Sequence, residues 1–264
     1  MVSVAGIDSE LRLLDSIQHE IREMEQTLIQ AAWQEDRVRL LMTLSGIHFY
    51  GAQSLIAAMG DPRRFQDGDH FASYLGLVPS TRASANGYYH GPTTKQGRSH
   101  TRWMLIQAAR HLAGHPGPLG QFFRRLLKKK NRNIAVVAVA RKPAAIAYHI
   151  LKNNEPHRYA LPDSTGEELA RLRSQATGQR RKTGSSKEAA GKRRVGTRSR
   201  TVPSLATVYQ REGVPGLRAP ESLPAGEKRM IEERKLRPFI KSINTAQRRE
   251  QKSPQRTNAN ASGN

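Results

Sequence analysis

Ser84 lies in a turn-rich stretch, with Arg82 two positions before it and Lys95, Arg98 and Arg102 after it. A serine hydroxyl can attack a phosphodiester when its proton is taken up and positive charge meets the pentavalent phosphorus. Arg98 and Arg102 are four residues apart and share a helix face. Ser80 and Ser99 are weaker candidates, Ser99 being better explained as a helix cap. Upstream, the text LMTLSGIHFYGAQSLIAAMGD has the shape of a helix–hairpin–helix. Leu41 and Leu44 close one helix, Ser45, Gly46, Ile47 and His48 make the turn, and Gly51 with Ala52 begins the next. Gly46 permits the tight turn, and a helix start with free N–H groups is a ready phosphate site. The competing reading is a tight corner between helices with Ile47 buried, and His48 stands where a second glycine would ease approach to phosphate. Gripping turn, serine and basic side chains together point to chemistry on, or grip of, nucleic acid.

Composition narrows the field. The 264 residues hold 44 Lys+Arg against 22 Asp+Glu, a formal net charge of +22. An excess of that size favours a polyanionic partner. The absence of cysteine excludes disulfides and thiolate metal sites. The longest apolar run, Ile134 to Ala140, is far below the ~20 residues of a membrane span, and the first residues lack the pattern of a secretory signal. His111 and His115 have the spacing of a helical zinc pair, but Pro116 follows and no third ligand accompanies them. Trp103 reads as core rather than as a base-stacking platform, and Lys128 to Arg132 as a solvated helix end.

These residues must be positioned by a mainly α fold in three parts. Over 1–35, Leu14, Ile17, Ile21, Met24 and Leu28 recur at alternating three and four spacing, the seam of a coiled coil, which predicts a homo-oligomer through this helix. Over 36–160 the pattern predicts helices at Arg37–Thr43, Gly51–Met59, Asp67–Leu75, Ser99–Ala113, Leu119–Lys128 and Asn133–Lys152. Asp67 and Ser99 are expected N-caps, and Asn86-Gly87 predicts a small β-hairpin. Pro143 should kink or break the last helix. From 161 to 264 the chain is rich in Lys, Arg, Gly, Ser and Thr and poor in apolar periodicity, which predicts a disordered basic tail. A weak helix is expected near Glu227–Ile240.

Five texts occur in one order: Leu41–Asp61, FASYLGLVP at Phe71–Pro79, Ser84, TTKQGRSHTRWMLIQAA at Thr93–Ala109, and AVARK at Ala138–Lys142. The series resembles the C-terminal domain of insertion-sequence transposases that join an N-terminal DEDD carboxylate domain to a C-terminal serine domain. The resemblance runs from about Leu11 to Tyr159. It implies DNA transposition by a recombinase guided by a structured RNA, with Ser84 as the nucleophile that becomes joined to DNA. Lys95, Arg98 and Arg102, with Arg82 as a further candidate, are the side chains that could give the phosphate its positive setting, and the turn residues Gly46, Ile47, His48 and Gly51 are the candidate phosphate grip. Three positions depart from the family pattern: Ala85 follows the serine where glycine is usual, Ser45 replaces a proline, and Pro143 interrupts a helix that normally continues. The family's carboxylate domain, which holds divalent metal, would precede the coiled-coil helix, and the chain has no room for it. Mg²⁺ is therefore expected only with that missing domain, and the chain itself carries no cofactor. The expectation is a C-terminal fragment, a remnant, or a subunit completed by another chain, cytoplasmic in a prokaryote. A catalytically inactive nucleic-acid-binding module or a structural assembly piece are the alternatives.

Overall fold

The computed structural model describes residues 4–84, 87–179 and 198–251. Its centre is α7 (Arg132–Asn153), which opens on Asn131, whose side chain accepts from the Asn133 N–H, and ends on left-handed Asn154. Small residues line its buried face: Ala135, Ala140, Ala144 and Ala147, with Val136, Val139 and Tyr148. They let α2 (Asp36–Leu41), α4 (Gly68–Tyr74), α5 (Ser99–His111) and α6 (Pro118–Leu127) pack around α7. The approach is so close that a Cβ on Gly68 would come within 2.9 Å of the Ala145 Cα. Of the kink or break expected at Pro143, the break does not occur: Pro143 is buried within one continuous helix. Packing on both sides outweighs one forfeited backbone hydrogen bond. α7 is also long and apolar enough, by composition, to cross a membrane, yet half of that window is buried inside the fold. That is the placement of a core helix.

α1 (Val4–Gln34) docks only by its C-terminal end, where Ile29 and Ala32 are buried against neighbouring elements. The Arg39 guanidinium lies 4.9 Å over the Trp33 ring and fixes the corner into α2. The coiled-coil seam, by contrast, is bare: Leu14, Ile17, Ile21, Met24 and Leu28 are 40–67% exposed. Asp67 caps α4 as predicted, accepting from the N–H groups of Asp69 and His70 at 2.9 and 2.8 Å. Ser99 does not act as a cap; it is the first residue of α5, and Arg98 holds the cap position. The predicted hairpin is β1 (Pro79–Ser84) against β2 (Gly87–Thr93), antiparallel, with Pro79 opposite Thr93 and Ser84 opposite Gly87. Its turn residues, 85 and 86, lie outside the described residues.

The expectation of a disordered tail from 161 is corrected over two stretches. α8 (Pro162–Thr177) buries Leu169 and Leu172. Beyond it, α9 (Leu205–Arg211) buries Leu205, Val208 and Tyr209. α10 (Ala225–Glu233), α11 (Arg237–Asn244) and a second ribbon, β3 (Arg198–Val202) with β4 (Gln247–Gln251), complete it. These apolar residues are too few and too widely spaced to form a core alone, but they dock on one already built by the helices before them. Glu212 is buried and accepts from Arg173 of α8 at 2.7 Å and from Arg211 at 2.9 Å, tying α8 to the end of α9. Residues 180–197 and 252–264, most of the basic low-complexity text, lie outside the described residues.

Candidate nucleic-acid interface

The helix–hairpin–helix text folds as α2, a turn over 42–48 and α3 (Phe49–Met59). Gly46 has φ +86°, and a Cβ there would meet the Ala108 carbonyl oxygen of α5 at 3.0 Å. Ile47 and Gly51 are buried, so three of the four residues expected to grip phosphate pack inward. Only His48 is exposed, and its Nδ1 lies 2.9 Å from Glu168 of α8. A phosphate at the start of α3 would have to displace that carboxylate. The turn is a packed corner between helices, for the reason that α5 and α8 cover it.

Beside it, Ser45 Oγ lies 3.0 Å from His115 Nε2. The pair looks like a nucleophile and base, but the Gly117 N–H donates to His115 Nδ1 at 3.0 Å. The Nε2 therefore carries the proton and donates to Ser45, the wrong tautomer for a base. Burial, with Arg124 nearby, pushes His115 down to about 4, so it stays neutral. Both its ring nitrogens are engaged within the protein, which leaves none for the zinc pairing with His111.

Basic residues gather at the root of the β-hairpin. Gly97 has φ +94°, and a Cβ there would overlap the Tyr74 carbonyl oxygen, so only glycine lets the loop lie against the end of α4. Arg102 Nη1 serves this clamp, donating to the Leu75 and Gln96 carbonyls at 3.0 and 3.4 Å. It positions the loop. Arg98 Nε reaches the Tyr74 hydroxyl at 3.4 Å, and Arg64 lies 5.3 Å over the same ring. The hydrogen bond from Arg98, reinforced by the charges of Arg98 and Arg64, holds the Tyr74 phenol below its ordinary range. Lys95 is exposed beside them, with a left-handed backbone at φ 54°. Arg64, Lys95 and Arg98 have no acidic partner among the described residues. Arg64 and Tyr74 were not singled out from sequence, although Arg63-Arg64 directly follows the α3 helix and its Asp61 turn.

Ser84 is at the other end of the ribbon, at the last β1 position before the turn. Five residue steps separate it from Pro79 at the root, about 17 Å at ~3.3 Å per residue. The structure thus brings Arg98 and Arg64 together at Tyr74, at the opposite end of the ribbon from Ser84. Trp103, expected in the core, is 53% exposed on α5 with the His100 ring 6.0 Å away. Its helix face points away from α7, where Leu105, Ala108 and Ala109 take the buried positions.

Residues 38–124, from α2 through the hairpin and α5 into α6, match the model described as the transposase IS116/IS110/IS902 family. The chain is 28% identical over 149 residues to the "Probable family 20 transposase" of Pseudomonas aeruginosa, which covers 55% of this chain and 44% of that protein. It is 27% identical over 142 residues to the transposase for insertion sequence element IS1111A of Coxiella burnetii, covering 52% and 39%. The pilin gene-inverting protein of Moraxella bovis is 29% identical over 123 residues, covering 46% and 38%. The matched part of the chain spans about two fifths of the length of these curated relatives.

Proposed function

We propose that this chain acts in DNA transposition or recombination, with DNA as its partner and Ser84 as the nucleophile. The observation that carries the reading is the place of Ser84 within the matched segment, at the tip of a two-stranded ribbon rooted in a basic cluster. In the step proposed, Ser84 Oγ forms a bond to a DNA phosphorus while the bond to one bridging oxygen breaks. The serine proton is lost, the departing strand leaves as a hydroxyl, and the phosphoserine ester keeps the bond energy for rejoining. Lys95, Arg98 and Arg64 grip backbone phosphates at the root, and Arg82 is the candidate nearest Ser84 in sequence. A structured guide RNA and a second copy, paired through the bare seam of α1, belong to the same reading. Among the described residues no group of three His, Asp or Glu side chains could hold a metal ion.

A second reading has its own support: Arg64 and Arg98 meet at the root of the ribbon, about 17 Å of strand from the serine at its tip, so this chain alone grips nucleic acid without cutting it. One experiment separates the two. The chain is incubated with element-end DNA, Mg²⁺ and the element's RNA, with and without a separately expressed carboxylate domain, and denatured. A covalent protein–DNA adduct that disappears in Ser84→Ala is expected. DNA binding with no adduct in any mixture would leave the second reading standing.

A further inference from the structure

A cavity of about 670 Å³ opens between α6, α7, the 155–159 loop and the 218–234 segment. That volume is in the range of small-ligand sites. Its walls include Phe122, Ile146, Ile150, Leu223 and Met230, an apolar interior large enough for a flat heterocycle. The two carboxylates at its edge are already neutralised. Glu155 is held by Arg158 at 3.0 Å and by Arg218 at 3.1 Å, while Glu227 accepts from the Tyr159 hydroxyl at 2.7 Å with Arg158 3.8 Å away. What remains at the rim is positive: Arg125, Lys142 and Arg234 have no acidic partner among the described residues. Arg125 and Lys142 both lie against the Phe122 ring, at 5.4 and 5.9 Å, so cationic charge is held beside an aromatic face. His157 lines the same cavity fully buried, and its Nδ1 is without a hydrogen-bond partner.

An apolar slot, an aromatic face and rim cations match the parts of one nucleotide. We propose that this cavity takes one unstacked nucleotide of a single-stranded nucleic acid, its base inside against Phe122 and its phosphate at Arg125 and Lys142. Duplex bases are stacked and cannot enter; a single strand can turn one out. The site stands apart from the strand-transfer reading, because no residue of the β-hairpin or its root lines it.

The test uses the full chain and fluorescence anisotropy with three probes: a short oligothymidylate, a short oligouridylate and a DNA duplex. Met230→Trp fills the slot, and the paired exposed changes Arg125→Glu and Lys142→Glu reverse the rim. Both variants are expected to weaken single-strand binding by roughly tenfold or more, with duplex affinity unchanged in Met230→Trp. A larger loss for oligouridylate identifies RNA as the source of the nucleotide, and equal losses identify either strand. A thiouracil-containing strand should cross-link to the peptide bearing Phe122 or Met230. Single-strand affinity that survives in both variants would overturn the proposal, and so would a parent chain that binds neither single strand. If Met230→Trp melts early, the charge-reversed pair decides. The Ser84-dependent adduct is read separately, so either proposal can fail alone.

Discussion

Removing the hydroxyl of Tyr209 asks whether the C-terminal third of the chain is folded onto the helices packed around α7. Tyr209 is fully buried, and its hydroxyl donates to the His157 carbonyl at 2.6 Å. The His157 N–H in turn donates to Thr43 Oγ at 2.8 Å, and Thr43 donates to the Leu40 carbonyl at 2.7 Å. One chain of hydrogen bonds thus runs from α9 to the end of α2. Burial pushes the Tyr209 phenol up, so it remains a donor across the working pH range. Tyr209→Phe keeps the ring and leaves the His157 carbonyl buried and unpaired, a cost of about 1–3 kcal/mol. For a chain of this size that lowers Tm by roughly 2–10 °C. Tyr209→Ala also opens a ring-sized hole, at about 3–5 kcal/mol. Thermal unfolding by circular dichroism gives both values, and limited proteolysis shows whether cleavage over 198–251 accelerates in the same order. If both variants melt within about 0.5 kcal/mol of the parent, α9 is not docked and the disordered-tail reading from sequence returns.

Acid should destabilise the protein in a defined window. Burial, with neighbouring positive charge, pushes His115 down to about 4 and His157 down to about 3. Below the ordinary histidine value of ~6.5 the unfolded chain takes up protons that the folded one refuses. Urea unfolding should give full stability above pH 7 and a loss of several kcal/mol on the way to pH 4; a flat profile would contradict the burial of both rings. Gly97→Ala should cost about 2–5 kcal/mol, from a left-handed backbone and overlap with the Tyr74 carbonyl. It should also reduce the salt dependence of DNA binding by loosening Lys95 and Arg98, and unchanged binding would remove those residues from the interface. Ile21→Glu, on the bare seam of α1, should shift sedimentation equilibrium toward monomer with no change in Tm; a parent that is already monomeric would end the pairing idea.

What the amino-acid sequence determined by itself was local. Caps, turns and amphipathic faces are decided within a few residues, which is why Asp67, the hairpin near Asn86-Gly87 and the helices from α2 to α7 were legible. The seam of α1 was legible for the same reason, as a spacing, although spacing says nothing of what covers it. What tertiary structure alone decided was every role set by a residue far away in the chain. His48 faces Glu168, 120 positions on, which turns an expected phosphate grip into a closed corner. Arg102 lends its Nη1 to the Leu75 and Gln96 carbonyls, a loop clamp that spacing could not show, and Trp103 looked like core until Leu105, Ala108 and Ala109 took the inward face of α5. Pro143 remains helical because its neighbours are buried on α7, a force that one-dimensional pattern does not carry. The docked tail is the largest case. Leu169, Leu172, Leu205, Val208 and Tyr209 cannot build a core, and composition correctly reports that; they can complete one, which only a pre-formed surface 40 to 160 residues earlier in the chain makes possible.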